Sequence, residues 1–144
     1  MSDETPPTPS PAPLVVDLVW EGERRFRGTS GDTELLLDSP PKDGPTPVQV
    51  LGFGLAGCMA MDVGDILRKG RLELLGLSAH LVAQRSSEHP RRVLAVDLRF
   101  TVLGNVPADR VERAIQLSKE RYCSVWHSLR QDIEFTTSFE VVNS

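Results

Sequence analysis

The sequence predicts an α+β fold with two main helices. Three observations carry this. The chain opens on short β-branched apolar runs separated by turn residues. A long apolar stretch then follows between a helix start signal and a helix stop signal. Finally, segments after residue 72 and after residue 133 alternate apolar and polar residues with the period of a strand.

Taken in order, residues 1–13 hold proline, serine and threonine and read as a disordered tail, leaving 14–144 as a single domain. Leu14 to Trp20 (LVVDLVW) is the first strand, Phe26 to Thr29 the second and Glu34 to Asp38 the third, with turns at Gly22 and at Ser30-Gly31-Asp32. Ser39 to Pro45 is a loop by its turn residues. Thr46 fits an N-cap, Pro47 the first helical position and Gln49 the close of a capping box. That helix is expected to end near Lys69, with Gly70 as its stop and Arg68 and Lys69 complementing the helix dipole. From Val48 to Met61 nearly every residue is apolar or small, so the helix is expected inside a protein or an interface. Gly52, Gly54, Gly57 and Gly64 fit a second backbone packed close against it. Leu72 to Gln84 and Val93 to Val102 make an antiparallel hairpin with one wet face. Pro107 starts the second helix, which carries Val111, Ala114, Ile115 and Ser118 on one side. A kink or restart is expected near Arg121-Tyr122, with helical character as far as Leu129. The last strand begins at Ile133.

A chain of 144 residues with 40% hydrophobic and 25% charged residues is long enough for one real core. The net charge of -4, with no basic stripe beyond the short clusters Arg24, Arg25, Arg27 and Arg91, Arg92, predicts no nucleic-acid partner. The acidic, proline-rich start is unlike a signal peptide, and no apolar run reaches the length of a membrane span, so the expected compartment is the cytoplasm, with no membrane partner.

The chemistry rests on two cysteines, Cys58 and Cys123. In a reducing compartment such a pair serves as inert core thiols, metal ligands or a redox pair. Cys58 lies about three turns into the apolar helix, too deep for the helix N-terminus to acidify it, so a thiolate there calls for a cation from elsewhere. Cys123 falls where the second helix restarts, a position that stabilises a thiolate, with Arg121 beside it. His80, His89 and His127 are scattered and build no metal pattern, so no metal and no cofactor is expected. Cys123 and His127 share a helix face without forming a recognisable site.

Four stretches form a familiar set: Gly44-Pro45-Thr46-Pro47, Leu55-Ala56-Gly57-Cys58, Met61-Asp62-Val63 with Ile66-Leu67, and Tyr122-Cys123-Ser124-Val125 with Ser128-Leu129. Together with Val19-Trp20-Glu21-Gly22 and Phe139-Glu140-Val141-Val142, they resemble the OsmC/Ohr family, most nearly its OsmC-like subgroup with a YCSV second motif. The resemblance implies an intertwined homodimer, with a strongly bent antiparallel sheet in each subunit and the central helices buried between subunits. It implies a hydroperoxide reductase in which Cys58 attacks an organic hydroperoxide and becomes a sulfenic acid. Cys123 then closes a disulfide, which a small dithiol or thiol reduces. Active members of the family place an arginine near the first cysteine and steady it with a glutamate. Here Arg24, Arg25 and Arg27 are the candidates, with Arg25 preferred, and Val48 and Gln49 stand where the glutamate is expected. The alternative implied by the same resemblance is a catalytically weak dimer that binds a small apolar ligand in an interfacial pocket.

Overall fold

A computed structural model describes residues 10–143. Most of the proline-rich tail therefore lies outside the described residues. The chain divides into two compact units, one ending at Pro47 and the other starting at Val48.

The first unit is an antiparallel meander of β1 (Asp17–Trp20), β2 (Phe26–Ser30) and β3 (Thr33–Leu37). β1 is shorter than expected, because Leu14, Val15 and Val16 precede the paired register that begins at Asp17↔Thr29. Left-handed Gly31 lets β2 turn into β3 within two residues. The loop after β3 returns on itself through the Asp38 N–H, which donates to the Pro45 carbonyl at 3.1 Å. At Gly44 a side chain is excluded, since a Cβ would stand 1.9 Å from the Leu36 carbonyl oxygen.

The second unit is built on α1 (Pro47–Lys69), with the bounds its capping signals predict. The helix closes as a Schellman turn. The Arg71 N–H donates to the Arg68 carbonyl and the Leu72 N–H to the Leu67 carbonyl. The left-handed residue is Arg71, at φ 58°, and not Gly70 as expected. β4 (Glu73–Arg85) and β5 (Val93–Asn105) form the expected hairpin. α2 (Ala108–Leu117) passes into a π-helical turn (Ser118–Tyr122), and after an extended Cys123 the chain restarts as α3 (Ser124–His127). The expected break thus falls close to Arg121-Tyr122, but helix ends at His127, before Leu129. β6 (Glu134–Val142) completes the chain.

The α+β class and the two main helices stand. One detail of the expected antiparallel sheet is corrected: β6 pairs with β5 in parallel, from Ala95↔Glu134 to Leu103↔Val142. The reason is the connection. The helical segment between these strands carries the chain back along the sheet, as a parallel pair requires.

The core is one-sided. α1 buries Leu55, Met59, Val63 and Leu67, spaced by four, against Val96, Leu98, Phe100 and Val102 from alternate positions of β5. Val111, Ala114 and Ile115 of α2 join them, and Trp126 tilts onto Phe135 with ring centres 4.5 Å apart. Each such large apolar side chain contributes about 1.5–3 kcal/mol on burial. Ala56, Cys58, Ala60 and Ile66 of α1 are partly buried against this core, whereas Phe53 and Met61 are 71% and 72% exposed. The expectation that no segment reaches the apolar length of a membrane span is also corrected. α1 does so by length and composition, its valines, leucines, alanines and methionines holding the mean hydropathy of an eighteen-residue window at 1.6, a test that the core helix of a soluble protein also passes. The four glycines meet no foreign backbone among the described residues. Gly64 and Gly52 face Leu77 and Leu81 at ordinary contact distances, Gly54 faces Val125, and Gly57 faces open space.

Candidate active site

Residues 54, 58 and 62 lie one helical turn apart and form a single row on α1. A methyl group at Gly54 would stand 4.0 Å from Val125 Cγ1. The Cys58 sulfur shares a hydrogen bond with the Ser124 hydroxyl at 3.9 Å. Asp62 Oδ2 accepts the hydroxyl of fully buried Ser118 at 2.8 Å. This row of α1 therefore faces the π turn and α3, and it brings Cys58 and Cys123 together.

The local backbone fixes Cys123. Its N–H donates to the Ser118 carbonyl at 2.8 Å, closing the π turn. π-helical turns of this kind recur at functional sites. Cys123 is then extended, at φ -73° and ψ 98°, and caps α3: its sulfur accepts the Trp126 N–H at 3.3 Å and its carbonyl accepts the His127 N–H at 3.1 Å.

The two thiols are electrostatically unlike. Burial pushes Cys58 up, but hydrogen bonds from the Val125 backbone N–H, the Cys123 thiol and the Ser124 hydroxyl outweigh it. The net effect holds Cys58 below the ordinary thiol value, with the Asp62 charge opposing. Burial drives Cys123 the other way, up to about 11. The Trp126 and Val125 N–H groups only partly offset this, and the bond to Cys58 and the charge of Cys58 add to it. The acidity expected from sequence is thus reversed. Cys123 does cap a helix, but it is fully buried, and the Val125 amide serves the half-buried Cys58 as well. Arg121 lies over the Tyr122 ring, 5.7 Å from its centre.

Arg25 sits in the turn before β2. Its Nε is buried, 3.6 Å from Asp38 Oδ2, and its Nη2 lies 3.2 Å from Asp43 Oδ2. Arg25 is thus no ordinary surface charge: two carboxylates hold it, one of them on buried Asp38. Arg27 instead bridges the exposed Glu21 and Glu34, and Arg24 is exposed. Gln49 lies exposed in the first turn of α1. Among the described residues no group of three or more His, Cys, Asp or Glu side chains is placed to hold a metal.

Sequence reasoning singled out neither Asp62, Ser118 nor Ser124 for a place beside the thiols. Asp62 had a signal, since its spacing of four from Cys58 puts both on one helix face. Ser118 had one too, as a polar residue on the buried side of α2.

The family model described as OsmC-like protein matches residues 40–138. The Escherichia coli K12 protein YhfA is 36% identical over 126 residues, covering 85% of this chain and 94% of its own length. A hypothetical protein of Aquifex aeolicus superposes with a TM-score of 0.85 at 26% identity, covering 92% of this chain and 98% of that one. The organic hydroperoxide resistance protein OhrB of Bacillus subtilis has a TM-score of 0.63 at 13% identity, with 90% and 98% covered, a likeness of fold. This chain belongs to the OsmC-like protein family.

Proposed function

We propose that the protein is a thiol-dependent peroxidase that reduces organic hydroperoxides. One observation carries the proposal: a half-buried thiol held below its ordinary value and a buried thiol pushed above it, joined by a hydrogen bond between Cys58 and Cys123. An acidic thiol is the attacking group and a neutral one the resolving group. The name of the Bacillus subtilis fold relative agrees with this reading.

The Cys58 thiolate attacks the terminal oxygen of the hydroperoxide. The O–O bond breaks, Cys58 becomes a sulfenic acid, and the alkoxide takes a proton to leave as an alcohol. The Cys123 thiol then displaces the sulfenic hydroxyl, forming the disulfide and releasing water. A dithiol, or two small thiols, reduces the disulfide and is itself oxidised to a disulfide. In this reading Arg25, held by Asp38 and Asp43, is the supporting cation and Gln49 a polar neighbour at the start of α1. Residues 14–144 act as one domain in a cytoplasmic homodimer, and the exposed apolar Phe53 and Met61 of α1 support burial of this helix by a second copy.

The test is stopped-flow oxidation of the reduced protein by cumene hydroperoxide and by hydrogen peroxide, with thiols counted before and after. The expected result is fast loss of two thiols, quicker with the organic peroxide and abolished by Cys58→Ser. Loss no faster than for a free thiol in solution overturns the peroxidase. The reading left is then a dimer that holds a small apolar ligand.

A further inference from the structure

We propose that Ser124 is a catalytic residue of this peroxidase: its hydroxyl holds the Cys58 thiolate and then turns to the oxygen expelled when the sulfur attacks. The inference rests on the peroxidase reading above.

Three observations carry it. Ser124 Oγ is 3.9 Å from Cys58 Sγ, within hydrogen-bond reach of sulfur. Ser124 is exposed, whereas Cys123, the other side chain bonded to that sulfur, is fully buried. A peroxide arriving from solvent at half-buried Cys58 therefore meets the serine hydroxyl. The backbone bearing that hydroxyl is fixed, since the Ser124 carbonyl accepts the Ser128 hydroxyl at 2.7 Å and the Cys123 N–H before it is tied to Ser118. The hydroxyl hydrogen turns about the Cβ–Oγ bond, so one donor serves first the sulfur and then the oxygen.

The chemistry needs such a donor. As the S–O bond forms and the O–O bond breaks, sulfur is oxidised to the sulfenic acid and the far oxygen departs as an alkoxide. An alkoxide is more basic than a serine hydroxyl. It takes the Ser124 proton as it forms, and the exposed serine regains a proton from water. The sum is thiolate, hydroperoxide and one proton giving sulfenic acid and alcohol. A hydrogen bond accelerates the step only if it is stronger in the transition state than before it. An O–H donor bonds a charged oxygen at shorter range, and more strongly, than a larger, softer sulfur, so the transfer from sulfur to oxygen meets that condition.

The experiment compares the wild type with Ser124→Ala and Ser124→Thr. Thiolate absorbance is titrated in the ultraviolet, where Cys58 ionises first because burial holds Cys123 near 11. Oxidation by cumene hydroperoxide is then measured at a pH where Cys58 is fully ionised. Ser124→Ala is expected to raise the Cys58 titration by about one unit and to slow the oxidation of the ionised thiol about tenfold. Ser124→Thr, which keeps the hydroxyl, is expected to restore both. A fast wild type matched by an equally fast Ser124→Ala overturns the catalytic role and leaves the peroxidase standing, even if the titration moves. A wild type no faster than a free thiol overturns the peroxidase itself, and this inference with it.

Discussion

Asp62 stands one turn beyond Cys58 with a charge that works against the thiolate, while its carboxylate accepts the buried Ser118 hydroxyl. The two roles separate on substitution. Asn keeps an oxygen for Ser118 and loses the charge, so Asp62→Asn is expected to lower the Cys58 titration. The check is the rate of iodoacetamide alkylation against pH, whose midpoint moves down. Both cysteines were legible in the sequence, because the motifs around them are local. Their acidities were not, because each is set across the fold. Helix reasoning along the chain assigned the benefit of the restarting helix to Cys123 alone, whereas the Val125 amide of that helix also bonds a sulfur 67 positions earlier in sequence. Burial, which no single-residue pattern reports, then took the advantage from Cys123.

The ends of α1 were readable because capping is a short-range matter: Pro47 begins it and Arg68 and Lys69 close its last turn. The residue that turns the chain out of the helix was misassigned by one position. Gly70 takes the cap position, and Arg71 accepts a left-handed backbone that an L side chain rarely adopts. Arg71→Gly is accordingly expected to stabilise the protein by about 1 kcal/mol, measured as a higher urea midpoint with unchanged slope. β6 was legible as a strand, and its direction was not. Alternation along Ile133, Phe135, Thr137, Phe139 and Val141 fixes which side chains share a face. Only the partner strand fixes whether the pairing is parallel, and that depends on where the crossover delivers the chain.

For the molecule as a whole, Cys123 links stability to pH. Its folded value of about 11 lies above the ordinary 9.0, so between these values the unfolded chain binds fewer protons and stability falls as pH rises. The contribution is complete below pH 9 and gone above 11. Wild type is therefore expected to lose about 2 kcal/mol more over that window than Cys123→Ala, read from urea titrations at each pH. In wild type Cys58 acts with the opposite sign, below this window, and Cys123→Ala also removes the hydrogen bond that Cys123 gives it. The sequence predicted the fold class and the element order, since these follow from periodicity. The one-sided core was only half visible: the α1 pattern is apolar nearly all round, and which stripe meets β5 emerges only from packing.

The depth of Cys123 also governs the return half of the proposed cycle. Once the disulfide has formed, an external thiol finds the Cys58 sulfur within reach and the Cys123 sulfur sealed. Attack is therefore confined to Cys58, and Cys123 must depart as the displaced thiolate. A thiol whose value stands near 11 departs reluctantly. In the proposed cycle this makes regeneration the slower half. Were the proposed cycle to run, the same burial that sets the two thiols apart would leave the oxidised protein as a record of recent exposure.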